Sequence, residues 1–146
     1  MNAFDLKSAL LAKHAQHVVL IHFPIALFMV GATFDVLSER TKNASLAVVA
    51  YYNLVVAAIA AVPTAITGVL AWQFALEGAK LKGELLLHLI GGIAITALML
   101  YVAWVHRRAR RWMVAPPKWR LAVEALTFAL LGLTAHLGGF LTGVNN

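Results

Sequence analysis

The chain has 146 residues, of which 62% are hydrophobic and 12% charged. A soluble domain carries roughly twice that share of charge, and the mean hydropathy of +0.81 points the same way. Composition therefore excludes an ordinary soluble domain and indicates a single-domain integral membrane protein. The absence of cysteine excludes disulfides, thiolate metal sites, iron–sulfur ligation and covalent c-type haem attachment. The net charge of +6 comes mostly from one interhelical loop, which is a topology signal, and nucleic acid is excluded as a partner.

The N-terminal stretch MNAFDLKSALLAKHAQH lacks the basic region, apolar core and small-residue site of a cleavable signal peptide. Leu6, Leu10 and His14 or His17 fall at helical spacing. The stretch thus reads as a short interfacial amphipathic segment or a frayed tail. A membrane span needs roughly 20 mainly apolar residues. Four runs qualify, at about 18–37, 44–72, 85–105 and 121–142. Pro24 marks a bend one turn into the first, and Pro63 kinks the second by deleting a backbone hydrogen bond. A lone apolar sheet would leave open edges in lipid. The expected fold is therefore an all-α, up-down four-helix membrane bundle.

Lysine and arginine counts set its orientation. One side holds Arg40, Lys42, Arg107, Arg108, Arg110, Arg111, Lys118 and Arg120, and the other Lys7, Lys13, Lys80 and Lys82. Eight against four places both termini on the periplasmic side of a bacterial inner membrane. Trp104, Trp112 and Trp119 form a cytoplasmic aromatic belt, with Trp72 at the opposite face.

Three histidines sit inside the apolar runs: His22, His88 and His136. In up-down order the start of span one, the start of span three and the end of span four share a face. Each histidine lies within about 10 Å of the outer end of its helix. They form one layer towards the periplasm, with His17 just above His22. Buried ionisable groups in a membrane are expensive and mark functional sites. For any single histidine a structural hydrogen-bonding role weighs as much as a ligand role, but three in one layer point to a shared ligand site. Gly91, Gly92, Gly132 and Gly139 lie a helical turn from His88 or His136, and Gly68 of span two is at similar depth. Such residues leave room for a flat macrocycle or simply allow close helix packing.

Haem b suits ligation by imidazole without a covalent link, and ranks above copper on imidazole alone. Zinc ranks last, because its sites favour tight histidine spacing or a carboxylate partner, and only Glu77 and Glu84 lie near that face, in the loop. In a square bundle spans one and three are diagonal, so His22 and His88 form the first axial pair. His136 can replace either, or join His17 at a second haem. His17 and His22 are five residues apart and point in different directions, so they serve different sites. Lys13, Lys80 or Lys82 would meet the propionates. His106, in HRRARR, reads as part of a solvated basic loop, and His14 as a surface residue. Asp35 caps its helix or pairs with Arg40, and Glu124 complements a helix N-terminus.

The string HVVLIHFPIALFMVGATFDVL at 17–37 resembles the opening of a four-span bacterial family called domain of unknown function 2231. That family's pattern is His-Pro, three mostly apolar residues, His-Phe-Pro-Ile-Ala-Leu, and later Phe-Asp-Leu. The chain has His17, His22, Phe23, Pro24, Ile25, Ala26, Leu27, Phe34 and Asp35 in matching places, with Val18 where the family has proline. PTAITGVLAW at 63–72, LLLHLIGGIA at 85–94 and LTAHLGGFLTG at 133–143 extend the likeness over nearly the whole chain. The family is similar to membrane modules joined to Rieske-type or cytochrome domains, which implies electron transfer.

The expected function is a cytochrome b-like electron-transfer subunit holding one or two haem b groups. It would pass electrons between quinol, or another membrane donor, and a periplasmic cytochrome or Rieske-type partner in a larger complex. The alternatives are a structural or assembly subunit without redox chemistry, and a copper-handling protein. No serine or threonine has a paired base, so hydrolytic or transfer catalysis is not expected.

Overall fold

Proline 24 has no N–H to offer the carbonyl of Leu20, and the first helical stretch is interrupted just there. In a computed structural model, which describes residues 13–141 with side chains from residue 16, helix α1 spans Lys13–Leu20 and α2 spans His22–Thr41. The Thr64 hydroxyl, which donates to the Ala60 carbonyl of its own helix at 2.8 Å, also lies 3.4 Å from the Leu20 carbonyl. Ile21 keeps helical dihedrals of −57° and −29°, so α1 and α2 together give one candidate span, Gln16–Thr41. The amphipathic helix expected around residues 4–17 lies outside the described residues except for its end in α1.

Helix α3 runs Ala44–Ala75, α4 Gly83–Arg111 and α5 Arg120–Leu141. With Gln16–Thr41 they make four helices long and apolar enough to cross a membrane. No strand is found among the described residues. α3 stays helical through Pro63. Its 32 residues span about 48 Å, longer than a bilayer's hydrocarbon core of about 30 Å, a length met by tilting or by ends that reach the headgroups. Two residues join α2 to α3. Lys42 takes a left-handed conformation (φ 56°), and the Asn43 side chain caps α3 by accepting from the Ser45 N–H at 2.9 Å.

Consecutive helices pack as neighbours, α2 on α3, α3 on α4 and α4 on α5, and α5 closes the ring against α2. This leaves α2 and α4 diagonal, the up-down bundle expected from short loops. α1 lies against α3. The α2–α3 crossing is close for a visible reason: a Cβ on Gly31 would lie 2.8 Å from Leu54 Cγ and 3.0 Å from the Leu54 nitrogen. α3 carries buried alanines at 50, 57, 58 and 61 on its inward side. Close backbone approach over small residues is how helices associate when lipid is as apolar as the core. Phe28, Leu54, Ile95, Met99, Val102 and Leu131 fill the centre. Large apolar side chains such as Ile59, Ile66, Ile93 and Leu133 face outward, as a lipid-facing surface requires.

Candidate functional site: a histidine pair at one end and a buried ion-pair lock at the other

At the loop 76–82 end of the bundle, α1 carries His17 onto α3. Its Nδ1 donates to the Thr64 carbonyl at 3.1 Å, with Thr67 Oγ1 at 3.4 Å. Gly68 makes room for the ring: a Cβ there would stand 2.9 Å from His17 Cε1. On the other side α4 presents His88, whose Nδ1 donates to the Thr134 carbonyl of α5 at 3.0 Å. Gly138 accommodates that ring in the same way, at 3.0 Å from Cε1. The two imidazoles meet at a centroid distance of 6.4 Å and an angle of 86°.

A backbone carbonyl only accepts, so each of these bonds requires a proton on Nδ1. A second group orienting the ring in this way is the usual support of a metal-ligating histidine. The centroid distance of 6.4 Å and the steep angle are those of edge-to-face ring packing. Two imidazoles from different helices thus stand side by side, each with its Nδ1 bonded to a backbone carbonyl.

The other nominated residues take different positions. His22 is exposed at the start of α2, its Nδ1 3.4 Å from the Val19 carbonyl, so His17 rather than His22 stands beside His88. His136 is exposed and packs its ring on Phe140 at 4.9 Å. Gly91 lies under Thr134, where a Cβ would collide with Oγ1. Gly92 and Gly132 open onto space, with nothing within 4 Å of a Cβ. Gly139 is half-buried near the end of α5. The side chains of Lys13 and His14 lie outside the described residues, and Lys80 and Lys82 are exposed.

The opposite end holds a polar cluster that corrects three sequence-based expectations. Asp35 does not pair with Arg40. Arg120, 2% exposed, grips it with Nε to Oδ2 at 2.7 Å and Nη2 to Oδ1 at 3.2 Å. The reason is helical phase: Arg40 is five residues from Asp35 and leaves its face, whereas Glu39 at i+4 shares it and also binds Arg120, at 3.3 Å. His106 is no solvated loop residue. It is buried in α4, with Nε2 3.0 Å from Glu124 Oε1 and 3.9 Å from Asp35 Oδ2. Glu124 is likewise buried in the bundle instead of dressing a helix N-terminus, and its Oε2 has no hydrogen-bond partner. Arg120 also donates to the Pro116 and Pro117 carbonyls at 3.0 and 3.3 Å, which ties the loop down.

Asp35, His106 and Glu124 offer ligand atoms within 4.8 Å of one another. Both Asp35 oxygens are already held by the guanidinium, however, so a cation would compete with Arg120. The cluster's chemistry is that of an ion-pair lock joining α2, α4 and α5. The signal that could have found it is the one used for the histidines. Asp35, His106 and Glu124 share a depth on three apolar helices, where unpaired charge is costly.

The expected aromatic belt lies at this end. Tyr101 stacks with Trp104 at 5.8 Å and with Trp119 at 6.0 Å. No curated protein and no solved structure is matched by the chain. A family model described as predicted membrane protein, DUF2231, matches residues 13–144, a stretch that includes all four spans, the histidine pair and the lock. The chain belongs to this family of multi-pass membrane proteins.

Proposed function

We propose that the chain is a membrane-embedded electron-transfer subunit that holds a b-type haem between His17 and His88. The observation carrying this reading is the pair itself: two imidazoles from different helices, 6.4 Å apart, each oriented by a carbonyl on Nδ1. His17 and His88 would hold the iron, Thr64 and Thr134 would orient their rings, and Gly68 and Gly138 would leave the rings their space. Bis-imidazole haem exchanges single electrons while staying low-spin. The surrounding side chains set solvent access and local polarity, and hence potential. The lysine and arginine bias supports an inner-membrane orientation with periplasmic termini and the histidine pair on the periplasmic side. Electrons would pass from quinol, or another membrane donor, to a periplasmic cytochrome or Rieske-type partner within a larger complex.

A second reading makes the chain a structural or assembly subunit. It is favoured by the same bonds, because His17 ties α1 to α3 and His88 ties α4 to α5. Copper on the two imidazoles is a third. The purified protein decides among them. A Soret band, a sharp α-band on reduction and a positive pyridine hemochrome support the haem reading. Colourless protein carrying stoichiometric copper supports the third, and colourless metal-free protein the second.

A further inference from the structure

At the arginine-rich end, a groove of about 810 Å³ lies on the lipid-facing side between α3 and α4. Its composition follows from two antiparallel helix faces. On α4, Leu100, Ala103 and Trp104, Arg107 and Arg108, and Arg111 recur at three- to four-residue spacing, so one stripe passes from apolar to cationic. On α3, Tyr51, Val55, Ala58 and Ile59 run the opposite way beside it. From Ile59 to Tyr51 is about 12 Å along the axis, close to the roughly 15 Å of hydrocarbon in one leaflet. The floor is apolar and narrow-sided because Ala58 and Ala103 are small.

The rim is cationic and uncompensated. None of Arg107, Arg108, Arg110 and Arg111 forms an ion pair with a carboxylate among the described residues. The acids at this end are engaged by Arg120, His106, Lys42 and Lys118. Aromatic faces hold two of the guanidiniums in place: Arg110 lies 4.6 Å over Tyr51, and Arg108 lies 5.6 Å over Trp104. Membrane orientation needs only the number of such charges. It does not require them to ring an apolar trough.

We infer that this groove is a binding site for an anionic phospholipid, with the phosphate on Arg108 and Arg111 and an acyl chain along Ile59 and Leu100. Charge complementarity selects the anionic headgroup, and the depth of the trough within the leaflet selects a lipid over a soluble phosphate. Basic pockets between membrane helices are suited to such headgroups. The inference is independent of what the histidine pair holds.

The test uses the full chain in vesicles containing phospholipids with brominated chains, which quench tryptophan on contact. Trp104 and Trp112 line the groove. Brominated phosphatidylglycerol is expected to quench several-fold more effectively than brominated phosphatidylcholine at equal mole fraction. Arg108→Gln/Arg111→Gln should erase that preference, at about fivefold per guanidinium removed. Arg40→Gln/Lys118→Gln removes the same charge away from the groove and should preserve it. Ile59→Trp alters no charge and replaces an exposed side chain. It should reduce the phosphatidylglycerol retained through purification, read by mass spectrometry. Circular dichroism confirms that each variant is folded. Equal quenching by the two lipids, or equal loss in the two charge variants, overturns the inference and leaves only a general surface attraction.

Discussion

The rings of His17 and His88 stand nearly perpendicular, 6.4 Å apart, although the two residues are 71 positions apart in sequence. α1 and α4 are not sequential neighbours, and each ring is steered by a third helix, through Thr64 of α3 and Thr134 of α5. The pair is assembled from four helices and held at both Nδ1 atoms, and the proposed haem between the two rings gives the first prediction. His17→Ala and His88→Ala should each abolish the reduced α-band of the purified protein. His22→Ala and His136→Ala, at exposed positions, should keep it. Difference spectra of the four variants check this.

The glycines divide into two groups. Gly68→Ala and Gly138→Ala place a methyl 2.9 and 3.0 Å from the His17 and His88 rings, and Gly91→Ala collides with Thr134. Overpacking of this kind costs about 1–3 kcal/mol, so these three should lower the melting temperature in detergent. Gly92→Ala and Gly132→Ala meet nothing within 4 Å. Alanine is the better helix former by about 1 kcal/mol, so both should melt at or above the parent temperature.

The Arg120–Asp35 fork carries a different expectation. Both groups are 2% exposed, and removing one partner of a buried pair costs about 3–5 kcal/mol. Arg120→Ala and Asp35→Asn should each destabilise by that order. Asp35→Leu/Arg120→Met should lose clearly less than the sum of the single losses, because no charge is left alone. Arg120→Lys should rescue little, since a point charge cannot reproduce the two-pronged grip. Thermal melts of the set check all three statements.

Orientation is testable because the chain lacks cysteine. A single cysteine at Ala79, in the loop before α4, should react with a membrane-impermeant maleimide in intact spheroplasts. One at Val114, in the loop after α4, should react only after permeabilisation. The reverse pattern would invert the proposed topology and move the histidine pair to the cytoplasmic side.

The bundle was legible because long apolar runs have few alternatives in lipid, and helix depth follows from counting residues. The same counting put His17, His22, His88 and His136 near one end. It could not choose His17 as the neighbour of His88, because that depends on rotation about the helix axes and on α1 lying along α3. Pro24 signalled the bend, and the break between α1 and α2 falls at Ile21, three residues before it. The lock was missed for another reason. Arg120 and His106 sit among arginines whose number alone serves topology, and nothing local distinguishes the buried cation from its exposed neighbours. Only the partner acids on α2 and α5 do so, one of them 85 positions from Arg120.

The central claim is that His17 and His88 are the two axial ligands of one haem. Low-temperature electron paramagnetic resonance of the oxidised, purified protein tests it most directly. A low-spin haem signal is expected, lost in His17→Ala and in His88→Ala. Absence of any haem signal from folded protein, or a low-spin signal that survives both substitutions, would contradict it.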